Sequence, residues 1–143
     1  MAEPLCGTYY PSIDNKGRMA FPNKLREILG PEFYLVPGKG GKYISVYSPE
    51  EYEKFEATLN TIPGSVGEAA RRYYISATDK QVPDKQGRIY IKDSLMASAE
   101  IKDEVVVIGA SYKAEIWSKA NWDEFNSNVP LADIEAALAN LVV

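Results

Sequence analysis

The spacing of apolar residues changes period several times along the chain, and each change marks an element. Residues 8–13 are short in span and rich in β-formers, with Pro11 confining them to an edge or a bend. Met19 and Phe21 then alternate with Arg18 and Ala20, which is the period of a strand with one buried face. The period lengthens after Phe21. Leu25, Ile28 and Leu29 form a helical stripe, with Pro22 at the first helical position and Gly30-Pro31 as the stop. Residues 33–36 and 43–47 read as strands. Between them Pro37-Gly38-Lys39-Gly40-Gly41-Lys42 holds too many glycines for regular structure. Ser48-Pro49-Glu50-Glu51 is a helix start, with a cap serine, a proline at the first position and a glutamate three residues after the serine. Tyr52, Phe55 and Leu59 give that helix its buried face.

Pro63, Gly64 and Gly67 make residues 61–67 read as a linker, followed by a helix over 68–78 that carries Arg71 and Arg72. Strands are expected over 80–82 and 89–91, with Ile89 and Ile91 on the apolar face and Arg88 and Tyr90 on the other. A short helix started by Asp93 or Ser94 follows, then a strand over 105–109 apolar on both sides, a strand over 115–117 and a helix from Ser118. Leu131, Ile134, Leu138 and Leu141 predict a last amphipathic helix over 131–141.

These elements repeat. Asp14-Asn15-Lys16-Gly17-Arg18 returns seventy positions later as Asp84-Lys85-Gln86-Gly87-Arg88. Leu25 then matches Leu95, Val36 matches Val106, Tyr47 matches Trp117, Ser48 matches Ser118, Tyr52 matches Trp122 and Phe55 matches Phe125. A register held that long without a gap indicates duplication. The expected fold is therefore α+β, internally duplicated and pseudo-twofold. Its segments are 7–60 for the first repeat, 61–79 for linker and helix, 80–126 for the second repeat and 127–143 for the C-terminal helix. Residues 1–4 read as a flexible or non-native end.

The repeated motif is the candidate site. Aspartate and glycine suffice to reverse a chain. A turn alone has no use for an exposed arginine, so its recurrence in both copies favours binding, and alternation points Arg18 and Arg88 away from the core. The surroundings are basic. Lys16, Arg18, Lys24 and Arg26 occur over 16–26 without an acid, and Lys85, Arg88 and Lys92 over 85–92 likewise. Arginine can bond two guanine edge atoms at once, and lysines can meet phosphates. Lys16, Arg18, Lys85 and Arg88 are the expected nucleic-acid contacts, with Lys24 and Arg26 as flanking candidates. Lys24, Arg26 and Lys92 weigh individually toward a solvated helix face or strand end. Arg71 and Arg72 weigh toward pairing with acids. The aromatics Tyr47, Tyr52, Phe55, Trp117, Trp122 and Phe125 weigh toward core, because they recur in register on buried faces.

The totals narrow the chemistry. With no histidine, histidine-containing metal sites and Ser-His or Cys-His pairs are excluded. One cysteine, Cys6, forms no internal disulfide and reads as a passive thiol. No phosphate-binding glycine motif occurs, so no cofactor and no enzymatic activity are expected. No apolar run is long enough for a membrane span, and the N-terminus lacks a signal-peptide pattern. The net charge of −4 argues against binding nucleic acid through bulk charge. A protein-interaction or assembly module with loops for acidic partners is thus the competing reading.

Several of these stretches resemble the MraZ family of bacterial transcriptional regulators: Ile13-Asp14-Asn15-Lys16-Gly17-Arg18-Met19, Asp84-Lys85-Gln86-Gly87-Arg88, Val105-Val106-Val107-Ile108-Gly109 and Glu115-Ile116-Trp117-Ser118. Leu5-Cys6-Gly7 stands where the family commonly opens on methionine and reaches glycine. The resemblance implies two fused AbrB-like swapped-hairpin units forming a β-barrel with short flanking helices. It further implies a ring homo-oligomer, expected as an octamer, with its turns presented to double-stranded DNA. The implied action is repression, in the cytoplasm and on the nucleoid, at direct repeats upstream of the division and cell-wall gene cluster. By motif match it assigns the DNA contacts to Lys16, Arg18, Lys85 and Arg88.

Overall fold

The computed structural model describes residues 3–141. Readings that touch residues 1–2 and 142–143 lie outside the described residues. The elements in chain order are β1 (Thr8–Tyr9), β2 (Arg18–Ala20), α1 (Asn23–Leu29), β3 (Phe33–Pro37), β4 (Tyr43–Tyr47), α2 (Pro49–Asn60) and α3 (Gly64–Ala77), then β5 (Asp79–Gln81), β6 (Arg88–Tyr90), α4 (Asp93–Ser98), β7 (Val105–Gly109), β8 (Ala114–Ser118), α5 (Lys119–Ser127) and α6 (Leu131–Ala139).

Six strands form one antiparallel sheet in the order β1-β7-β8-β4-β3-β5, and β2 and β6 form a separate two-stranded ribbon. The sheet is interleaved. The first strand of each copy hydrogen-bonds to the third strand of the other, β1 to β7 and β5 to β3. Reading the strand order backwards exchanges every element for its copy, as a twofold axis requires. Ser45 pairs with Glu115 across β4 and β8, and Met19 pairs with Ile89 across β2 and β6. Both pairs join equivalent positions, so the pseudo-axis runs through the middle of the sheet and the middle of the ribbon.

The β-barrel that the resemblance implies does not close. Of the strands in each copy, β2 and β6 pair with one another instead of completing the sheet, whose edges β1 and β5 remain apart. The structure is an open mixed α+β sandwich. Between ribbon and sheet lies the main core, in which Met19, Phe21, Ile89 and Ile91 meet Leu35, Ile44, Val46, Val107 and Ile116, with Leu25 and Leu95 closing it from α1 and α4. The other sheet face carries the in-register aromatics. Tyr47 and Trp117 are buried there, and Tyr52, Phe55 and Trp122 are half-buried. Phe125 departs from expectation and is 44% exposed.

Local details correct the sequence reading in four places. Pro22 has ψ 127° and stands before α1 as its cap instead of inside it, and Gly30 terminates the helix at φ 96°. The 8–13 strand shrinks to two residues plus isolated bridges at Ser12 and Ile13, because Pro11 interrupts its ladder. The glycine-rich loop holds a short 3-10 turn, Lys39–Gly41. The linker ends at Pro63, since α3 begins at Gly64 and packs back on α2. That close return needs Gly67, where a Cβ would lie 1.9 Å from the Ile62 carbonyl oxygen. Two expectations hold in detail. Ser48 and Ser118 both cap their helices, accepting from the N–H groups of Glu51 and Asn121. The expected amphipathic stripe also forms on α6, but it stays in solvent.

Where the axis crosses the outer sheet face, a charge pair replaces apolar packing. Lys113 Nζ donates to Glu115 at 3.0 Å and to Ser45 Oγ at 3.2 Å, while Trp117 Nε1 donates to Glu115 Oε1 at 3.0 Å. Both charged side chains are 12% exposed. Removing one partner strands a buried charge, at a cost of about 3–5 kcal/mol, whereas replacing both with apolar groups can be neutral. Lys113→Met is therefore expected to lower stability by about that amount, and Lys113→Met with Glu115→Leu to recover most of it. Urea denaturation of the single and double variants checks this.

Candidate nucleic-acid interface

Each motif folds into the same hairpin tip. In the first, Asp14 Oδ1 accepts from the backbone N–H groups of Lys16 at 2.9 Å and Arg18 at 3.0 Å, and Oδ2 accepts from Arg18 Nε at 2.8 Å. In the second, Asp84 Oδ1 accepts from Gln86 and Arg88, each at 2.9 Å, and Oδ2 accepts from Arg88 Nε at 2.9 Å. Gly17 and Gly87 complete the turns at φ 84° and 77°. The arginine thus has a structural task within the turn, which the sequence reading denied it. A turn of this kind does use the guanidinium, because the aspartate has a second oxygen left after the backbone is satisfied.

That task engages Nε alone. Among the described residues the terminal nitrogens of Arg18 and Arg88 form no bond, and the side chains are 51% and 49% exposed. Exposed pairs of this sort add little stability. Their effect is on conformation: a long, mobile side chain is fixed with its two outer nitrogens facing outward. The carboxylate charge at each tip is compensated in place.

The two tips are clasped to each other through the backbone. Phe21 N–H donates to the Gly87 carbonyl at 3.0 Å, and Ile91 N–H donates to the Gly17 carbonyl at 2.8 Å. Between them β2 and β6 pair Arg18 with Tyr90 and Ala20 with Arg88. Alternation buries Met19 and Ile89 and exposes all four of the others. One ribbon therefore presents both arginines on one outward face. Tyr90, 52% exposed, stands beside Arg18 on that face and belongs to the site. The alternation that placed it with Arg88 was the signal available for it in the sequence.

The remaining candidates divide. Lys16 and Lys85 sit exposed on the tips. Lys24 is exposed on α1, but it lines a surface cavity with Glu3, Cys6, Tyr9 and Glu27, away from the ribbon. Arg26 turns inward. It bonds Asn23, its Nε is buried without a partner, and its guanidinium lies under Gly87, where a Cβ would come within 2.7 Å of it. Met96, its counterpart in α4, lies under Gly17 in the same way. Arg26 is thus a support for the second tip. Arg71 donates to the carbonyl of Leu59 in the last turn of α2 and to that of Ile62 in the connection after it, and Arg72 pairs with Glu68, so among the described residues only Arg72 of the two pairs with an acid.

No group of histidine, cysteine or acidic side chains able to hold a metal occurs among the described residues, and no helix there is long and apolar enough to cross a membrane. The fold and site define an internally duplicated α+β protein whose two copies jointly build one basic ribbon. The family model described as "MraZ protein, putative antitoxin-like" matches residues 5–72 and again 74–142. The chain is 39% identical over 135 residues to the transcriptional regulator MraZ of Thermoanaerobacter sp. (strain X514), covering 93% of this chain and 94% of that one. It is 37% identical over 122 residues to the protein of the same name from Heliobacterium modesticaldum, covering 84% and 85%, and 36% identical over 122 residues to that from Dictyoglomus thermophilum, covering 84% and 83%. The chain belongs to the MraZ family.

Two predictions follow from the tip geometry. The backbone N–H of Arg18, then the Arg18 guanidinium and the Lys16 N–H, hold the Asp14 carboxyl below the ordinary aspartate value of 3.8, and Asp84 is lowered likewise by Arg88 first. A depressed acid stabilises above its unfolded pKa and loses that contribution as pH falls through the folded one. The Arg18 and Arg88 Nε–H resonances should therefore leave their paired positions as pH falls, with a midpoint below the ordinary aspartate value of 3.8, as NMR titration would show. At Gly17 an added Cβ meets the Ile91 carbonyl oxygen at 2.3 Å, whereas at Gly87 it meets the movable Arg26 side chain. Both substitutions strain a positive φ by about 1–2 kcal/mol. Gly17→Ala is expected to cost more than Gly87→Ala by a further ~1–3 kcal/mol of overpacking, measured by thermal unfolding.

Proposed function

We propose that this protein is a non-enzymatic transcriptional regulator that binds double-stranded DNA through the β2–β6 ribbon and its two tips. The observation that carries the reading is the outward ribbon face on which Arg18 and Arg88 are both pre-oriented through Nε by Asp14 and Asp84. The major groove admits a two-stranded ribbon, and an arginine held by Nε still offers two nitrogens for the O6 and N7 of a guanine. Diagonal ribbon neighbours stand about 7–8 Å apart. That is close to two base-pair rises of about 3.4 Å, so the two arginines suit nearby base pairs. Lys16 and Lys85 at the tips take phosphates. The names of the similar proteins support regulation of transcription as the role.

Finer features belong to the same proposal. The exchange of strands between copies supports a relationship to AbrB-like swapped-hairpin units. Action as a repressor at direct repeats ahead of the division and cell-wall gene cluster rests on the family resemblance, as does a ring of copies. A ring also answers the net charge of −4. Linked weak sites on repeated elements gain effective concentration without new contacts.

Arg18→Ala and Arg88→Ala are each expected to weaken binding to repeat-bearing DNA at least tenfold, with an unchanged circular dichroism spectrum. Arg18→Lys, which keeps the charge but loses the two-pronged contact, should retain binding to random DNA and lose the preference for the repeats. Fluorescence anisotropy at two salt concentrations reads both quantities. Wild-type affinity in all three variants would overturn the assignment.

A further inference from the structure

The sheet face opposite the ribbon carries two cavities that the pseudo-twofold relates. One, of about 200 Å³, lies against α2, and the other, of about 460 Å³, lies against α5. Every residue lining the smaller has its counterpart, seventy positions away, lining the larger. Their chemistry differs. In the first copy Glu51 and Lys54 pair with each other at 3.0 Å, Tyr112 forms a further wall, and Tyr74 covers Phe55 edge-on at 5.4 Å. In the second copy Asn121 and Glu124 stand in place of that pair, and Lys42 in place of Tyr112. Asn121 turns to the carbonyls of Lys42 and Ala99, and Lys42 turns to Glu100 at 2.8 Å. The second cavity is left more than twice the volume of the first.

That space has the make-up of a small-molecule site. Such sites span about 300–1,000 Å³ and are mostly apolar or aromatic, with a few charged groups that orient the ligand. Here Tyr43 stacks on Trp117 at 4.7 Å, and Trp117 packs on Phe125 at 5.7 Å. Gly38 holds the Tyr43 ring in place, since a Cβ there would lie 2.4 Å from it. Phe125 leaves 44% of its surface open, ready for a flat ring to stack on. At the rim Lys39 is exposed on the glycine-rich loop and has no carboxylate partner among the described residues. The nearby acids face the other lysine: Glu100 first, and Glu124 behind it, raise the Lys42 pKa above the ordinary 10.5. One cation is thus left over beside an open aromatic surface.

We propose that the α5 cavity binds a small flat aromatic molecule carrying an anionic group, its ring on Phe125 and its charge at Lys39. The site lies on the face opposite the ribbon and is independent of the DNA-binding reading.

Both tryptophans of the chain report on it, since Trp117 lines the cavity and Trp122 packs on Trp117 and Phe125. Tryptophan fluorescence and calorimetry are read during titration with AMP, a purine phosphate, and with 2-naphthoate, an aromatic carboxylate. Adenosine supplies a ring without charge, and inorganic phosphate a charge without a ring. At least one of the two aromatic anions is expected to bind saturably, at least tenfold more tightly than adenosine or phosphate, and the tighter one names the acidic group. Lys39→Glu is expected to weaken that binding at least tenfold with an unchanged unfolding midpoint. Lys54→Glu, at the smaller cavity, and Arg18→Ala, on the ribbon, are expected to leave it unchanged. Failure of both anions to bind below about 10 mM overturns the proposal. So does adenosine or phosphate binding as tightly as they do, or a loss on Lys54→Glu or Arg18→Ala as large as that on Lys39→Glu.

Discussion

The arrangement depends on two backbone hydrogen bonds, from Phe21 N–H to the Gly87 carbonyl and from Ile91 N–H to the Gly17 carbonyl. They are reciprocal, so each copy's tip is held by the strand end of the other. Without them β2 and β6 would be two three-residue strands with little to hold them, since a short isolated ribbon is marginal in water. With them, the ribbon's inner face, Met19 and Ile89, is pressed onto the sheet and its outer face is fixed in orientation. The close approach explains the glycine at residue 17. A side chain at residue 17 would collide with the very strand that the carbonyl must reach.

This clasp also reconciles an acidic protein with a basic face. Each tip contains an aspartate, but that aspartate is consumed by three donors of its own turn, among them the arginine that projects outward. The same carboxylate folds the turn, steadies the guanidinium and is itself neutralised. A lysine in place of the arginine would keep the charge but lack an Nε beside two free terminal nitrogens, so it could not do both jobs at once.

Much of the fold was legible because its cause is local or periodic. The duplication, the two serine caps, the strand alternation around Arg18 and Arg88 and the helical stripe of α6 all follow from side-chain chemistry at fixed spacing. What escaped depended on partners distant in sequence. Nothing near Arg26 indicates that Gly87 will settle over it, and its outward reading rested on helix position alone. The barrel was implied by family likeness. Its failure to close turns on β2 choosing β6 over the sheet, which is a competition between pairings and not a property of either segment. Phe125 was placed in the core by analogy with Phe55, yet its burial depends on whether a helix covers it.

The two copies agree where they face inward and diverge where they face outward. Met19 and Ile89 fill the same apolar slot under the ribbon, and Leu25 and Leu95 close the same ends. Above the ribbon Ala20 answers Tyr90, and on the tips Asn15-Lys16 answers Lys85-Gln86. A dimer of identical chains would have to present identical tips, whereas a fused duplication relieves that constraint while keeping the axis that positions them. The outward face is consequently pseudo-symmetric in its arginines and asymmetric in everything around them. Under the proposed DNA-binding function, such a face would have a direction and would match an element without internal symmetry.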